Sequence, residues 1–230
     1  MLEENLKKII TELSNGNNLG EKITLVGASK TMSVEVINRA VKLGLKVVAE
    51  NKVQEFREKT ELIDKSASQH FIGHLQTNKV KYLVGKVDLI HSVDSVKLAQ
   101  EIDKTAKKLS TVQNVLIEIN VGGELSKSGF DFDNVKNAVS EISKTCANVK
   151  IKGLMAMLPK SEDNEYLTAL CKKTRALYDE FKALYSDFEY LSMGMSNDYK
   201  LTVQNGSNMV RLGTTIFGER NYGENKNGNI

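Results

Sequence analysis

The stretch ITLVGASKTMSVEVINRAVKLGLKVVAE, residues 23–50, contains the structural unit that the rest of the chain repeats. A short apolar run rich in β-branched residues, 23–28, precedes a helical pattern that ends near Gly44, and a second apolar run follows at 46–50. Ser33 is a good helix N-cap, and a glycine commonly ends a helix before a strand. The stretch therefore predicts a strand, a helix and a second, parallel strand.

The same alternation continues along the chain. Helical patterns separate eight predicted strands, at 23–28, 46–50, 70–73, 89–92, 115–121, 151–157, 190–193 and 209–212. Eight strand–helix units of this total length favour a single TIM-type (β/α)8 barrel, an α/β fold, with an extra N-terminal helix. A doubly wound open sheet is the alternative.

Two further patterns predict where helices begin and which face one of them buries. Asp94 or Ser95, and Asp133, are expected to cap the starts of two helices. One helical pattern repeats an apolar residue every three or four positions, at Leu98, Ile102, Ala106 and Leu109. We expect residues 1–222 to form one barrel domain, because no linker interrupts them, and residues 223–230 to form a disordered tail.

Composition excludes several classes of function. The 230 residues include 32 basic and 29 acidic ones, a net charge of +3 that argues against nucleic-acid binding. The two cysteines, Cys146 and Cys171, have no metal-ligand spacing, and a reduced setting suits them. The N-terminus lacks a signal-peptide core, and no run reaches the roughly 18 apolar residues of a membrane span. We therefore expect a cytoplasmic protein that contacts no membrane.

In a barrel of this kind, chemistry lies at the C-terminal ends of the strands. The last two strand ends are LSMGMSND (191–198) and VRLGTTIFGER (210–220). Small residues, backbone donors and the absence of carboxylates predict that they form a phosphate site, from Ser192, Gly194, Ser196, Gly213 and Thr214. Arg211 shares a strand face with Gly213, so its side chain is expected to point into the same pocket.

Lys30 follows the first strand and is expected at the same end of the barrel. An amine in a barrel mouth loses affinity for its proton, because desolvation penalises the charged form, and it can then attack an aldehyde. An amine opposite a phosphate site indicates an aldehyde that carries phosphate. Pyridoxal 5′-phosphate (PLP) and the sugar phosphate of a class I aldolase both satisfy this chemistry.

Longer motifs carry a resemblance to a known family. The sequence resembles the pyridoxal phosphate homeostasis proteins (the YggS/PROSC family) in ASKT (28–31), AENKVQE (49–55), HFIGHLQTNK (70–79), IHSVDS (90–95), SKSG (126–129), GLMAM (153–157) and the last two strand ends. The resemblance implies a fold-type III barrel like the N-terminal domain of alanine racemase. It also implies PLP held by Lys30 as a Schiff base, with Arg211 facing the pyridine nitrogen and Asn51, His74 and Met155 lining the ring pocket.

The sequence departs from that family in two places. VAENK (48–52) stands where the family usually has FGENY, which removes an aromatic side chain and a glycine near Asn51. The proline that usually follows the lysine motif is also missing from SKTMS (29–33). The first departure bears on contacts beside the ring, and the second bears on the rigidity of the loop.

The resemblance leaves the question of catalysis. A fold-type III racemase needs a second acid–base group opposite the cofactor lysine, supplied there by an additional domain. Tyr199, expected on the surface, and His74 are the weaker candidates in this chain. We therefore expect a monomeric, non-catalytic holder of PLP that can pass it to PLP-dependent apoenzymes. A weak racemase or transaminase and a cofactor-free aldolase are the alternatives.

Smaller signals predict little chemistry. His70 and His74 are spaced to share a strand face, but no third ligand accompanies them, so no metal site is expected. SKSG (126–129), beside VGGE, is compatible with a flexible lid, but ordinary turns are the preferred explanation of Gly122, Gly123 and Gly129.

Overall fold

A computed structural model of the chain describes residues 1–124 and 128–218. Eight parallel strands pair in sequence order, and the last pairs with the first, which closes a barrel. This confirms the predicted barrel, and the open doubly wound sheet is wrong. The strands are β1 (Thr24–Ala28), β2 (Val47–Glu50), β3 (Ser68–Phe71), β4 (Leu89–Val93), β5 (Gln113–Ile119), β6 (Val149–Ala156), β7 (Tyr190–Met193) and β8 (Met209–Leu212).

Helical segments follow the strands around the outside, apart from the first helix, which precedes β1. A 3-10 helix, Thr77–Tyr82, takes the place of an α-helix between β3 and β4. The α-helices are α1 (Leu2–Leu13), α2 (Val34–Lys42), α3 (Val53–Lys59), α4 (Val96–Lys108), α5 (Val135–Thr145), α6 (Asn164–Leu184), α7 (Tyr199–Val203) and α8 (Thr214–Phe217).

Most of the predicted helix boundaries are confirmed. The hydroxyls of Ser33 and Ser95 accept hydrogen bonds from backbone N–H groups in the first turns of α2 and α4. Gly44 follows the end of α2 with φ of +112°, a conformation that costs a glycine little, and its N–H bonds to the carbonyl of Val41.

Two details of the helices differ from the prediction. Asp133 does not cap α5; the N-cap is Asn134, and the Asp131 carboxylate accepts its backbone N–H at 2.8 Å. Leu109 lies past the last turn of α4 and is 55% exposed, because the chain leaves the helix before the fourth residue of the apolar stripe reaches the core.

The core has an inner and an outer part. In the barrel interior, one cluster of buried apolar side chains contains Val26, Val47, Ala49, Leu89, Leu116, Met155 and Met209. Outside the barrel, one cluster packs α4, α5 and α6 on the middle strands, and another packs α1 and α2 on the outer faces of β1, β2 and β8. Because the interior is filled, a ligand has access only at the rims.

Parts of the sequence prediction lie outside the described residues. They are the tail at 223–230, the last residues of the predicted domain at 219–222, and residues 126 and 127 of the SKSG motif. Among the described helices, none is long and apolar enough to cross a membrane. The described residues also contain no cluster of three or more histidine, cysteine or acidic side chains that could hold a metal ion.

Candidate functional site

A cavity of about 780 Å³ opens at the C-terminal rim of the barrel, where β1, β7 and β8 end beside the loop after β6. Five of the predicted site residues line it: Lys30, Ser196, Arg211, Gly213 and Thr214. Residues 30 and 213 are 183 positions apart in sequence, and the closed barrel brings them to one cavity because adjacent strands β1 and β8 are parallel and end at the same rim.

Lys30 lies in the turn immediately after β1 and is half-buried. Its amine forms no hydrogen bond and no ion pair with any described residue. The cavity around it includes the apolar side chains of Ala28, Leu158 and Pro159. A primary amine without a protein partner, beside an apolar wall, is available to react with a ligand in the cavity.

Two backbone amides at the start of α8 meet at one hydroxyl beside this cavity. The Ser196 hydroxyl lies 3.3 Å from the Gly213 nitrogen and 3.4 Å from the Thr215 nitrogen, and accepts from both. These amides begin the short helix α8, directly after β8. We call Ser196, Gly213, Thr214 and Thr215 the amide nest. The two amides meet at the Ser196 hydroxyl oxygen, and the hydroxyl keeps its own proton to donate, an arrangement that suits an anion.

The expectation of a site without carboxylates is wrong. Asp198 and Glu162 line the same cavity, together with Lys160. One oxygen of Asp198 accepts the backbone N–H of Met195 at 2.6 Å, so this carboxylate serves to shape the loop after β7. Asp198 is the last residue of the quoted motif LSMGMSND (191–198), so this carboxylate was already visible in the sequence.

Arg211 points into the barrel, beneath the mouth, and is 5% exposed. Its guanidinium donates to the carbonyls of Ser192 at 2.8 Å and Ala156 at 3.0 Å, and it forms no ion pair with a described residue. Burial lowers the pKa of Arg211 to about 10, although the charges of Asp198 and Glu118 oppose this shift. The side chain therefore remains a cation at neutral pH.

Ser192 and Gly194 lie deeper than the cavity wall. The Ser192 hydroxyl is fully buried, and accepts from Arg211 at 2.6 Å. Gly194 has φ of +109°, and a Cβ there would lie 2.2 Å from the Thr202 hydroxyl oxygen. The Gly194 carbonyl accepts the backbone N–H of Arg211 at 3.0 Å. Packing against α7 therefore accounts for the glycine, and both residues hold Arg211 in place.

A buried histidine pair, which was not predicted from the sequence, lies next to the Ser192 hydroxyl. His91 Nδ1 is 3.1 Å from the Ser192 hydroxyl, and His91 Nε2 is 3.0 Å from His70 Nδ1. Burial lowers the pKa of His70 to about 4, and lowers that of His91 well below its usual range. Both rings are therefore neutral at pH 7. Since Arg211 can only donate, the Ser192 proton is free to point toward His91.

Asn51 and His74 line a second cavity of about 660 Å³, with Lys52, Arg57, Lys79 and Tyr82, and none of its lining residues lines the first cavity. The Asn51 Oδ1 atom is buried and has no hydrogen-bond partner among the described residues. The His74 ring is exposed, 3.3 Å from both the Asp94 carboxylate and the Ser128 hydroxyl. His70 and His74 do not share a face, because the chain leaves β3 after Phe71 and turns His74 outward.

The remaining predicted residues lie elsewhere. Met155 is buried in the barrel interior, with Leu116 and Met209, below both cavities. Tyr199 was expected on the surface, but it is buried outside the barrel and its hydroxyl donates to the Glu12 carboxylate at 3.1 Å. Burial, followed by the charge of Glu12, raises the pKa of Tyr199 to about 12.

Glu118 is a further buried group that the sequence analysis did not select. It lies on β5, is 4% exposed and carries a carboxyl whose pKa is raised to about 7, mainly by burial and then by the negative charge of Asp94. Arg211 opposes this shift. The alternation in NVLIEINV (114–121) places Glu118 on the same strand face as Leu116, which is the only signal in the sequence for its inward orientation.

Comparisons with known proteins agree with this architecture. The model of the family described as the N-terminal domain of alanine racemase matches residues 2–221. A pyridoxal phosphate homeostasis protein of Aquifex aeolicus is 46% identical over 221 residues, which covers 95% of each chain. The chain belongs to the pyridoxal phosphate homeostasis protein family. The resemblance in the sequence motifs is thus confirmed over almost the whole chain.

Solved structures resemble this family member at two levels. PipY of Synechococcus elongatus PCC7942, solved with PLP bound, has a TM-score of 0.82 at 30% identity, over 95% of this chain and all of that one. An alanine racemase of Clostridium difficile 630 has a TM-score of 0.73 at 18% identity, and covers 94% of this chain but 56% of the racemase. The second likeness shows the fold alone, a TIM-type barrel shared with fold-type III enzymes.

Proposed function

We propose that this protein binds PLP in the cavity at the barrel mouth, through a covalent bond to Lys30, and holds it without robust catalysis. The single observation that carries the proposal is the placement of two groups. Lys30, whose amine has no partner among the described residues, lines one cavity with Ser196, Gly213 and Thr214 of the amide nest. The name of the Aquifex relative and the PLP bound to PipY support the choice of ligand.

The residues present fit PLP. Bound PLP supplies an aldehyde that condenses with a primary amine, with loss of water, and a ring that withdraws electrons. Lys30 supplies the amine, and the amide nest supplies donors for the phosphate. Lys160, which lines the same cavity, adds a positive charge.

The setting of Arg211 argues against strong electron withdrawal by the ring. A guanidinium cannot give up a proton at neutral pH, so a pyridine nitrogen facing Arg211 would stay unprotonated. The carbonyls of Ser192 and Ala156 fix the guanidinium, and Ser192 is in turn held by the neutral His91. These contacts would keep the ring a weak electron sink, which suits a protein that holds the cofactor.

The candidates for a second acid–base group are poorly suited to catalysis. Tyr199 donates to Glu12 outside the barrel and has a pKa raised to about 12, so it is neither near the cavity nor readily ionised. His74 faces the second cavity and solvent. The expectations of a monomer, of a cytoplasmic setting and of PLP-dependent apoenzymes as recipients remain predictions.

Borohydride reduction followed by peptide mapping tests the proposal. After incubation with PLP and reduction, the pyridoxyl group should lie on the tryptic peptide 23–39, with cleavage blocked at Lys30. Lys30→Ala should abolish this adduct. Lys65→Ala is the control, because Lys65 pairs with Glu61 on the surface and does not line the cavity, and it should leave the adduct on Lys30.

The same preparation separates the holder from an enzyme. Turnover of a panel of L-amino acids at roughly 1 per second or more, lost in Lys30→Ala, would contradict the holder and favour a racemase or transaminase. An adduct on another lysine, or none, would contradict the site.

A further inference from the structure

The lysine-bearing turn is held from both sides by one partly buried ionic network. Ser29, on one side of Lys30, is fully buried, and its hydroxyl lies 2.9 Å from a carboxylate oxygen of Glu50. Thr31, on the other side, donates its backbone N–H to the Glu55 carboxylate at 2.8 Å. Glu50 ends β2 and Glu55 lies on α3, so the turn after β1 is tied to two neighbouring elements.

Lys59 joins the two carboxylates. Its ammonium lies 2.9 Å from Glu50 Oε1 and 2.9 Å from Glu55 Oε2, and 3.5 Å from the carbonyl of Ser29. Its side chain is 13% exposed, against 3% for Glu50 and 19% for Glu55. Charged hydrogen bonds in such a shielded place are stronger than surface ion pairs. We call Ser29, Thr31, Glu50, Glu55 and Lys59 the Lys59 network.

The backbone of the turn needs this support. Thr31 has φ of +67°, a conformation that β-branched residues rarely adopt, and it persists only where surrounding contacts hold it. The Glu55 carboxylate is the contact to the strained residue itself. Without it, the strain in Thr31 favours relaxation of the turn, which would move the Lys30 backbone and redirect its side chain.

We infer that Lys59 is a positioning residue for the reaction of Lys30 with an aldehyde: through Glu50 and Glu55 it fixes the backbone on both sides of Lys30. The inference rests on the proposed function, since it takes Lys30 as the reacting amine. The reacting step forms a carbon–nitrogen double bond and releases water; Lys59 stays outside the cavity and takes no part in the proton transfers.

Paired rate and affinity measurements test this role. PLP is mixed with the protein, and borohydride reduction at successive times gives the rate at which Lys30 is modified. The affinity for pyridoxine 5′-phosphate is measured in parallel; this probe has the same phosphate and ring but no aldehyde. Lys59→Met should slow modification by tenfold or more and change the affinity for pyridoxine 5′-phosphate by less than twofold. Lys59→Arg, which keeps the charge, should restore most of the rate.

Two other variants keep the test decisive. Lys65→Met is the matched control, because Lys65 pairs with Glu61 on the surface, and it should leave the rate unchanged. Glu55→Ala removes the contact to Thr31 directly, and should reproduce the slow modification even where Lys59→Met fails to fold.

The possible results separate failure of the positioning role from failure of the proposed function. An unchanged rate in Glu55→Ala and Lys59→Met would overturn the positioning role, as would a loss of pyridoxine 5′-phosphate affinity in step with the rate. Wild-type protein that is not modified at Lys30 at all would instead contradict the proposed function.

Discussion

Polar groups at the two ends of the barrel differ in whether they have partners within the protein. At the N-terminal end, Glu21 precedes β1 and binds Asn17, Arg175 and Lys182, while Arg175 also donates to the carbonyl of Gly206, which precedes β8. At the C-terminal end, the Lys30 amine and the Asn51 Oδ1 atom lack partners among the described residues, and the chain passes through a strained turn.

The pKa values follow the same division. The pKa of Glu21 is lowered to about 2, because hydrogen bonds to its charged form from Arg175, Asn17 and Lys182 outweigh the opposite effect of burial. Glu118, near the mouth, has a pKa raised to about 7, because burial is not offset by a close partner. One end of the molecule is thus arranged for stability, and the other leaves groups free for a ligand. Substitutions at the two ends should therefore separate stability from binding.

The largest expected effect is at the N-terminal end. Arg175→Met should lower the free energy of unfolding by about 3 kcal/mol at pH 7, because it leaves the Glu21 carboxylate partly unpaired. Urea unfolding measures this, and PLP affinity should change less than twofold. Since the folded pKa of Glu21 is lowered, its stabilisation is present above about pH 4.5 and lost as pH falls toward 2. The variant should show a weaker loss over that range.

Glu118→Gln should have the opposite sign. The folded pKa of Glu118 is raised, so the folded state holds a proton more tightly than the unfolded chain, and stability falls as pH rises from about 4.5 to 7. Glutamine removes that dependence, and should raise the free energy of unfolding by about 2 kcal/mol at pH 8. Little difference is expected at pH 4. A variant equally stabilised at both pH values would contradict the assignment.

A pair of serines gives the smallest and most specific contrast. Ser196→Ala removes a hydroxyl of the amide nest and should weaken PLP binding about tenfold, or about 1.4 kcal/mol, with unfolding unchanged. Ser207→Ala, in the loop before β8, removes a buried hydroxyl that donates to the carbonyl of Met193, and should cost about 1 kcal/mol of stability without affecting binding. Isothermal titration with PLP measures the change in binding, and urea unfolding measures the change in stability. If either variant changed both quantities to a similar degree, the difference between the two ends of the barrel would be contradicted.

Local patterns were sufficient for much of the fold. The strands were predicted to within a few residues, because β-branched runs and helical periodicity are local properties of the sequence. Lys30 and the amide nest could be placed at one rim for a topological reason, since parallel strands in a closed barrel end on the same side.

Contacts distant in sequence set the limits of that prediction. Tyr199 is buried where its hydroxyl donates to Glu12, which is 187 positions away in sequence. No local pattern predicts that contact. Ser192 does not line the cavity, and its hydroxyl instead accepts a hydrogen bond from Arg211 on the next strand. The pKa of Glu118 is raised by burial and then by the charge of Asp94, which follows β4, while Arg211 on β8 opposes the shift. Each of these depends on where strands meet, which sequence spacing does not specify.

A crystal structure of the protein with PLP tests the central claim most directly. We predict continuous density from the Lys30 nitrogen to a phosphate at the amide nest, within hydrogen-bond distance of the Gly213 and Thr215 nitrogens. Density for PLP in the second cavity, beside Tyr82, or a phosphate remote from Ser196 while the Lys30 amine remains free, would contradict the account.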